Sequence, residues 1–170
     1  MFDELRAANL AYAATFDLGG LPGRAARGLA LVTCIDTRID PLAALGLRPG
    51  DAKILRNAGG RVTDDVLRSL VLATSLLGVT HIVVMHHTDC ALAGRTEEQL
   101  RSALADRQLA AAAAWDFLAM PDPDVALAHD VANVRRCSAL PGGLAVEGWR
   151  YDVDTGLVQQ IVPGAFAAGG

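Results

Sequence analysis

Two short stretches far apart in the chain carry the side chains best suited to chemistry. Residues 34–38 read CIDTR and residues 86–90 read HHTDC. Cysteine and histidine are ligands that zinc prefers, and two Cys with one His leave a fourth tetrahedral position open for water or substrate. The two stretches together therefore predict metal-assisted hydration chemistry rather than a purely structural zinc site.

The candidate metal ligands are Cys34, His87 and Cys90. A His-x-x-Cys spacing lets both side chains reach one ion across a tight turn, although a buried Cys beside a His is commonly just a pair of core residues. Cys34, at the end of another predicted strand, favours the metal site over that structural alternative. We expect one Zn²⁺ per chain.

Asp36 and Arg38 are the candidate catalytic residues. An ordinary salt bridge at a strand end is the alternative. In the functional interpretation, the Asp36 carboxylate accepts a hydrogen bond from water at the open metal position and is itself held by a bidentate Arg38. If Arg38 released it, Asp36 could instead become the fourth metal ligand and close the site.

A glycine-rich turn, RNAGG at residues 56–60, follows the second predicted strand. A plain turn before a helix is one explanation. The other is that glycine lets the backbone approach a small anion or carbonyl group closely. On the second interpretation, Asn57, Ala58 and Gly59 contribute to substrate binding.

These motifs lie between apolar runs of strand length and amphipathic segments. Strands are predicted at 28–34, 52–56 and 81–85, with a hairpin of strands at 144–153 and 157–162. Helices are predicted at 2–16, from Pro41 to near Gly46, from the N-cap Thr63 to Gly78, from the capping box at Thr96 to about Leu118, and from Pro123 to near Pro141. We expect one domain over residues 1–170, with 1–27 as an N-terminal helix and arm and 164–170 as a frayed tail.

The alternation of strands and helices predicts an α/β fold with a mostly parallel central sheet flanked by helices. Ligands bind such sheets outside the carboxyl ends of the strands, where the strand order reverses. Cys34 ends the first strand, whereas His87 and Cys90 follow the third. In the order 2-1-3-4 these strands are neighbours, so both halves of the candidate site would meet at one crevice.

Composition narrows the class of protein. The 170 residues are 52% hydrophobic, with a mean hydropathy of +0.29, which predicts apolar surface buried between subunits. A net charge of −4 without a basic cluster argues against nucleic-acid binding. Three cysteines fit a reducing compartment, and no apolar run reaches the roughly 18 residues of a membrane span. We therefore expect a soluble, cytoplasmic oligomer.

The motifs CIDTR, RNAGG and HHTDC, in this order and spacing, resemble those of the beta-class carbonic anhydrases. The later stretch GGLAVEGWRYDVDTG, residues 142–156, is similar to the closing strand region of that family. The resemblance runs from about Gly28 to Val162 and is nearest to the short bacterial members. It implies a central sheet of order 2-1-3-4 followed by an antiparallel C-terminal strand, and a zinc lyase that interconverts carbon dioxide and bicarbonate.

The same resemblance assigns roles to the candidate residues. Cys34, His87 and Cys90 match the family's zinc ligands, and Asp36 with Arg38 matches its catalytic pair. Active sites of the family lie at a dimer interface and dimers sometimes pair further. We therefore expect a homodimer or a dimer of dimers whose substrate is a small molecule, CO2 or bicarbonate.

The chain departs from the family pattern just after the second zinc cysteine, where members usually carry Gly and this chain has Ala91. Ala is strained there if the position needs a positive φ, but it serves equally well if only its backbone N–H is used. Since Ala91 would border the substrate, two alternatives stay open. One is a hydrolase of carbonyl sulfide or carbon disulfide with the same fold. The other is a non-catalytic relative that binds zinc or bicarbonate.

Overall fold

The computed structural model describes residues 1–105 and 114–168. Within these ranges the strands are β1 Leu29–Cys34, β2 Ala52–Asn57, β3 His81–His87, β4 Ala145–Tyr151 and β5 Val158–Phe166. The α-helices are α1 Phe2–Ala14, α2 Pro41–Ala44, α3 Asp64–Leu76, α4 Glu97–Ala105 and α5 Pro123–Arg136. One turn of 3₁₀ helix, Ala58–Gly60, follows β2.

The strands form one sheet in the order β2-β1-β3-β4-β5. The first three pairings in this order are parallel, and β5 pairs antiparallel with β4. The predicted α/β class and the order 2-1-3-4 with an antiparallel C-terminal strand are therefore confirmed. Because β1 and β3 are parallel neighbours, their carboxyl ends, Cys34 and His87, meet at one edge of the sheet.

Apolar side chains cover the sheet on both faces, which explains why β1 and β3 are nearly continuous hydrophobic runs. On one face α3 and α5 pack against the sheet, and their contacts form a core with members such as Val32, Leu70, Val84, Val131 and Val134. The core on the other face contains Leu31, Met85, Met120 and Tyr151 together with Cys34 and Cys90. The two cysteines thus border an apolar core, which shields them from water.

The predicted caps fix where two of the helices begin. The Thr63 side chain accepts a hydrogen bond from the Val66 N–H at 3.4 Å, as an N-cap does. At the start of α4 the bonds are reciprocal: Thr96 Oγ1 accepts from the Gln99 N–H, and Gln99 Oε1 accepts from the Thr96 N–H. Both helices therefore start at the predicted residues.

The helix predicted from Thr96 to about Leu118 is wrong at its end. Residues 116–119 are not helical, and the stretch 106–113 lies outside the described residues. Side chains there bond the backbone in a non-helical path, since Asp116 accepts from the Leu118 N–H and Glu97 accepts from the N–H groups of Phe117 and Ala119. Leu118 accordingly has a φ of 56°.

The prediction that residues 164–170 form a frayed tail is also wrong for the part that the structure describes. β5 continues to Phe166, and Ala167 is buried. The Ala167 N–H donates to the carbonyl of Leu144 at 2.9 Å, which extends the pairing with β4. Pairing with a neighbouring strand therefore orders a segment whose small residues suggested fraying.

α5 ends at Arg136, earlier than the predicted end near Pro141.

α1 lies apart from both cores, and each of its residues is exposed in the single chain. Its large apolar side chains include Phe2, Leu5 and Leu10, which are 69%, 62% and 72% exposed. Across residues 1–105 and 114–168, the structure contains no helix of the length and apolarity that crossing a membrane requires.

Candidate metal centre

Three buried side chains meet where β1 and β3 end. Cys34 is the last residue of β1, His87 is the last of β3, and Cys90 follows after a two-residue turn. Their two sulfur atoms and one imidazole nitrogen lie within 4.8 Å of one another. Zinc with bonds of about 2.3 Å to sulfur and 2.0 Å to nitrogen keeps its ligand atoms about 3.5–3.8 Å apart. The three groups are therefore spaced to hold such an ion with little rearrangement.

The hydrogen bonds of His87 leave one ring nitrogen available to a metal. Nδ1 donates to the Thr88 carbonyl at 2.7 Å, so in the neutral ring Nε2 is the acceptor. Nε2 is buried and has no hydrogen-bond partner among the residues that the structure describes. A buried lone pair that no donor satisfies fits the residues to a zinc ion.

The two thiols of the cluster act as a pair. The pKa of Cys34 is lowered to about 4, chiefly because the neighbouring Cys90 thiol can donate to its sulfur, with further help from backbone N–H groups such as that of Gly59. The pKa of Cys90 is raised above its usual range, because its thiol is the donor to Cys34 and is buried. Cys34 is thus favoured as a thiolate and Cys90 as a thiol, and a divalent cation bound to both sulfur atoms would displace the Cys90 proton.

The 3₁₀ turn after β2 supports Cys34 from the side. The Gly59 N–H donates to Cys34 Sγ at 3.3 Å, from a backbone with a φ of 77° that glycine adopts without strain. Gly60 is packed so tightly that a Cβ there would lie 3.1 Å from the Cys34 nitrogen. Arg56 donates to three backbone carbonyls of residues 34–39 at 2.6–3.1 Å, which holds the loop after β1.

Asp36 and Arg38 form a bidentate pair beside the three ligands. Arg38 Nε donates to Asp36 Oδ1 at 3.0 Å, and Nη2 donates to Oδ2 at 2.8 Å. These hydrogen bonds hold the pKa of Asp36 well below its usual range, so the carboxylate is ionised and only accepts hydrogen bonds. Asp36 Oδ2 stands 4.0 Å from His87 Nε2. The carboxylate therefore borders the cluster while both of its oxygens are bonded to Arg38.

Asp89 is a member of the site that sequence reasoning missed. Arg38 Nη1 donates to Asp89 Oδ2 at 2.7 Å, and Nη2 also donates to the Asp89 carbonyl at 3.1 Å. Asp89 has a φ of 53°, which Asp and Asn tolerate better than most residues, and this turn brings its carboxylate to Arg38. The sequence does show a carboxylate directly before Cys90, but it gives no sign that Asp89 reaches Arg38, because 51 residues separate the two.

A cavity of about 170 Å³ opens onto the cluster. Its lining includes Ala58, Gly59 and Ala91, three of the four residues predicted to bind substrate. The walls are completed by Ile35, Asp36 and Leu92 and by the three ligands. The fourth predicted residue, Asn57, turns its amide to the neighbouring turn, where Nδ2 donates to the Arg61 carbonyl at 2.7 Å. Asn57 therefore supports the turn from outside the cavity lining.

One protein-family model, described as carbonic anhydrase, matches residues 29–115, the stretch that holds both motifs. The beta-carbonic anhydrase 1 of Mycobacterium tuberculosis is 32% identical over 161 residues, which cover 95% of this chain and 98% of that protein. The chain belongs to the beta-carbonic anhydrase family. The predicted family and the prediction of an enzyme of the carbonic anhydrase class are thereby confirmed.

Solved structures agree with this beta-carbonic anhydrase assignment. A carbonic anhydrase from Streptococcus mutans superposes with a TM-score of 0.87 at 41% identity, covering 94% of this chain and 96% of that one.

A carbon disulfide hydrolase from Acidithiobacillus thiooxidans is 31% identical over 156 residues, which cover 81% of this chain and 77% of that protein. Identities of 31% and 32% do not separate the two substrates. Similarity thus defines the family, and the residues of the site determine the substrate.

Ala91 fits this beta-carbonic anhydrase without strain. Within residues 1–105 and 114–168, the non-glycine residues with a positive φ are Asp89 and Leu118. Ala91 therefore lies outside the left-handed region, and the alternative in which alanine is strained at this position is wrong. The turn after Cys90 is closed by the Ala93 N–H, which donates to the Cys90 carbonyl at 3.0 Å.

Proposed function

We propose that this chain catalyses the zinc-dependent, reversible hydration of carbon dioxide to bicarbonate and a proton. The proposal is carried by one observation: the ligand atoms of Cys34, His87 and Cys90 lie within 4.8 Å of one another, beside a carboxylate that Arg38 holds. The family assignment supports the same chemistry.

Each residue of the site then has a role in hydration. Cys34, His87 and Cys90 would hold one Zn²⁺, and the bound ion would supply a Lewis acid that makes water nucleophilic near neutral pH. Asp36 is ionised and only accepts hydrogen bonds, so it orients the attacking water by accepting a hydrogen bond from it. Arg38 bonds both oxygens of Asp36 and keeps the carboxylate ionised, which would leave the three ligand atoms accessible to substrate.

The cavity walls favour a small uncharged substrate. Ile35, Ala58, Ala91 and Leu92 present apolar surface to the space of about 170 Å³. Gly59 approaches closely because it lacks a side chain, and a Cβ there would lie 2.8 Å from Leu92 Cδ1. We therefore assign Ala58, Gly59 and Ala91 to substrate binding, with Asn57 supporting the turn behind them.

Stopped-flow measurement of carbon dioxide hydration, with zinc quantified in the same samples, tests the proposal. The wild-type chain and the control Cys137→Ser should hold one zinc per chain and hydrate carbon dioxide. Cys137 is a half-buried cysteine outside the metal cluster, so its loss should change neither quantity. Cys90→Ser should lose zinc and fall to the buffer rate. Full zinc and full activity in Cys90→Ser would contradict the ligand assignment.

A second candidate function is hydrolysis of a carbon dioxide analogue, carbonyl sulfide or carbon disulfide. It is favoured by the similarity to the carbon disulfide hydrolase of Acidithiobacillus thiooxidans and by the apolar walls of the cavity. Turnover of the three substrates by one zinc-loaded preparation separates the functions. Faster turnover of a sulfur substrate than of carbon dioxide would favour the hydrolase. One zinc per chain with no turnover of any substrate would indicate a non-catalytic zinc or bicarbonate binder.

We further propose that the chain is a homodimer, or a dimer of such dimers, and acts in the cytoplasm. The exposed apolar side chains of α1, among them Phe2, Leu5 and Leu10, support burial against a second copy. Light scattering should then give at least twice the 17.8 kDa of one chain, and a mass of 17.8 kDa contradicts the dimer.

The thiols of Cys34 and Cys90 must stay reduced to bind zinc, which supports a location in the cytoplasm. Cell fractionation tests that location.

A further inference from the structure

A second polar cluster is buried behind the metal centre, and the proposed hydration chemistry does not use it. It consists of Arg61, His86 and Asp130, which are 8%, 2% and 1% exposed. Arg61 donates to Asp130 from Nε at 2.6 Å and from Nη2 at 3.4 Å. His86 Nε2 lies 3.2 Å from Asp130 Oδ2. One carboxylate on α5 thus joins two side chains that come from different parts of the chain.

The chemistry of this network is well defined. Burial opposes ionisation of Asp130, but the hydrogen bonds from His86 and Arg61 outweigh it and lower the pKa of Asp130. Because an ionised carboxylate only accepts, His86 Nε2 carries the hydrogen that it donates. The network therefore balances one negative charge on Asp130 against the Arg61 guanidinium and holds the His86 ring in one orientation.

The network is tied to the chain beside two of the metal ligands. His86 directly precedes His87 on β3, and the two side chains point to opposite faces of the sheet. Arg61 directly follows the turn in which the Gly59 N–H donates to Cys34 Sγ and Gly60 packs on the Cys34 backbone. A movement of His86 or Arg61 would therefore displace the backbone of a metal ligand.

A third connection leads to the segment after Cys90. Arg61 Nη1 also donates to the Leu118 carbonyl, two residues before Met120. The Met120 N–H donates to the Leu92 carbonyl at 3.0 Å, and the Gly94 N–H donates to the Met120 carbonyl at 2.8 Å. The backbone next to Cys90 is thus linked to the same arginine. The backbone segments of all three ligands are therefore connected to the one buried network of Arg61, His86 and Asp130.

We propose that Arg61, His86 and Asp130 are positioning residues that preorganise the three zinc ligands, with Asp130 as the centre of the network. The inference rests on the zinc site of the proposed function, but it does not depend on which substrate is turned over. The competing explanation is a structural ion pair that stabilises the core and leaves the metal centre unaffected. The two explanations differ in what happens to zinc affinity when the network is cut in a chain that still folds.

The experiment compares Asp130→Asn with Val131→Ala. Val131 is the next residue of α5 and is fully buried, so its truncation destabilises the same helix without touching the network. Three quantities are measured for each full-length variant: zinc affinity by competition with a chelating dye, the visible absorption of the cobalt(II)-loaded protein, and the midpoint of thermal unfolding.

For Asp130→Asn we expect zinc affinity to fall by about 10-fold, the lower end of the loss that follows removal of a direct partner of a metal ligand, because Asp130 acts through Arg61 and His86. The cobalt absorption bands should change as well. Val131→Ala should lower the unfolding midpoint, yet keep its zinc affinity within about twofold and its cobalt spectrum unchanged. Wild-type affinity and spectrum in a folded Asp130→Asn overturn the inference, and so does an equal loss of affinity in Val131→Ala.

Arg61→Lys decides the question if Asp130→Asn does not fold. Lysine keeps the positive charge opposite Asp130 but cannot donate in the same fork to both Asp130 and the Leu118 carbonyl. A weaker zinc affinity in folded Arg61→Lys supports positioning, and an unchanged affinity overturns it. Since none of these measurements uses hydration, a chain that binds zinc but turns over no carbon dioxide would refute the proposed function and leave this inference standing.

Discussion

Two adjacent histidines at the end of β3 have opposite environments. His87 faces the metal centre, where its Nε2 is buried without a hydrogen-bond partner among the described residues. His86 faces the other side of the sheet, where its Nε2 bonds to Asp130 at 3.2 Å. Both rings are almost completely buried, so exposure does not distinguish them.

The difference between the two histidines shows what separates a candidate ligand from an anchoring side chain. His86 also has a buried ring nitrogen without a partner among the described residues, Nδ1, so an unsatisfied acceptor by itself does not mark a ligand. His87 is a candidate ligand because the sulfur atoms of Cys34 and Cys90 lie within 4.8 Å of its ring nitrogen, whereas Asp130 holds the His86 ring in place. Because side chains alternate along a strand, the same two residues of sequence serve both faces of the sheet. In the proposed roles, the face with His87 carries the chemistry, and the opposite face carries the buried charges that hold the ligands in position.

Replacing each histidine by alanine is the most severe test of this comparison. His87→Ala should lose zinc almost entirely, by more than the roughly 10- to 100-fold that removing an outer partner costs. His86→Ala should keep most of its zinc at saturating metal but unfold at a lower temperature, because Asp130 loses a donor in a buried site. Zinc titration and calorimetry of both variants measure the two effects. Equal loss of zinc in the two variants would contradict the assignment of opposite roles.

Acidification, compared between the wild-type chain and Asp130→Asn, isolates the contribution of Asp130 on the opposite face. Asp130 has a lowered pKa in the folded chain, so its contribution to the unfolding free energy is complete above its unfolded pKa of about 3.9 and is lost as the pH falls through the folded value. At pH 7, Asp130→Asn should lower the unfolding free energy by about 3–5 kcal/mol, because Arg61 is left buried without its counter-charge.

Urea denaturation of the zinc-free chain and of Asp130→Asn, between pH 7 and pH 3, measures this contribution. The difference in unfolding free energy between the two chains should narrow as the pH drops below about 4, since protonation of Asp130 removes the same charge as the substitution. A difference that stays constant across this range would mean that folding does not shift the pKa of Asp130. Asp124→Asn, which alters an exposed pair on the same helix, is the control.

On the metal face, loss of Asp89 should have a smaller effect. The Arg38 and Asp89 side chains are 42% and 77% exposed, and an exposed pair is worth only about 0.2–1 kcal/mol. Asp89→Asn keeps a residue that tolerates the positive φ and leaves the bonds between Arg38 and Asp36 in place. Hydration should therefore fall by no more than about fivefold, with zinc content unchanged. A hundredfold loss would show that Asp89 acts directly in the reaction.

Ala91→Gly should have the smallest effect of the series. Ala91 has no positive φ to relieve, so glycine removes only one methyl group from the cavity wall. We expect zinc content and hydration rate within about twofold of wild type, and a loss of stability of about 0.4–1 kcal/mol from the freer unfolded chain. A large gain in hydration would revive the alternative of a non-catalytic relative impaired at this residue.

Local patterns in the sequence were enough for most of the fold. The apolar runs of β1 and β3 and the caps at Thr63 and Thr96 depend on neighbours within a few residues, and they are found as predicted. The errors fall where distant groups compete with local preference. Glu97 accepts hydrogen bonds from the backbone of Phe117 and Ala119, which is not helical, and β4 pairs with Ala165 and Phe166 in a segment predicted to fray.

The sequence by itself determined the fold class, the family and which side chains can bind zinc, because residue type and short spacing encode these properties. Only the tertiary structure decided which groups hold one another. Arg38 meets Asp89 across 51 residues, and Asp130 meets Arg61 across 69 and His86 across 44. Such pairs arise from strand order and helix packing, which bring together residues whose separation along the chain carries no periodic signal. The sequence also left Ala91 undecided, because strain depends on a backbone angle that only the folded chain sets.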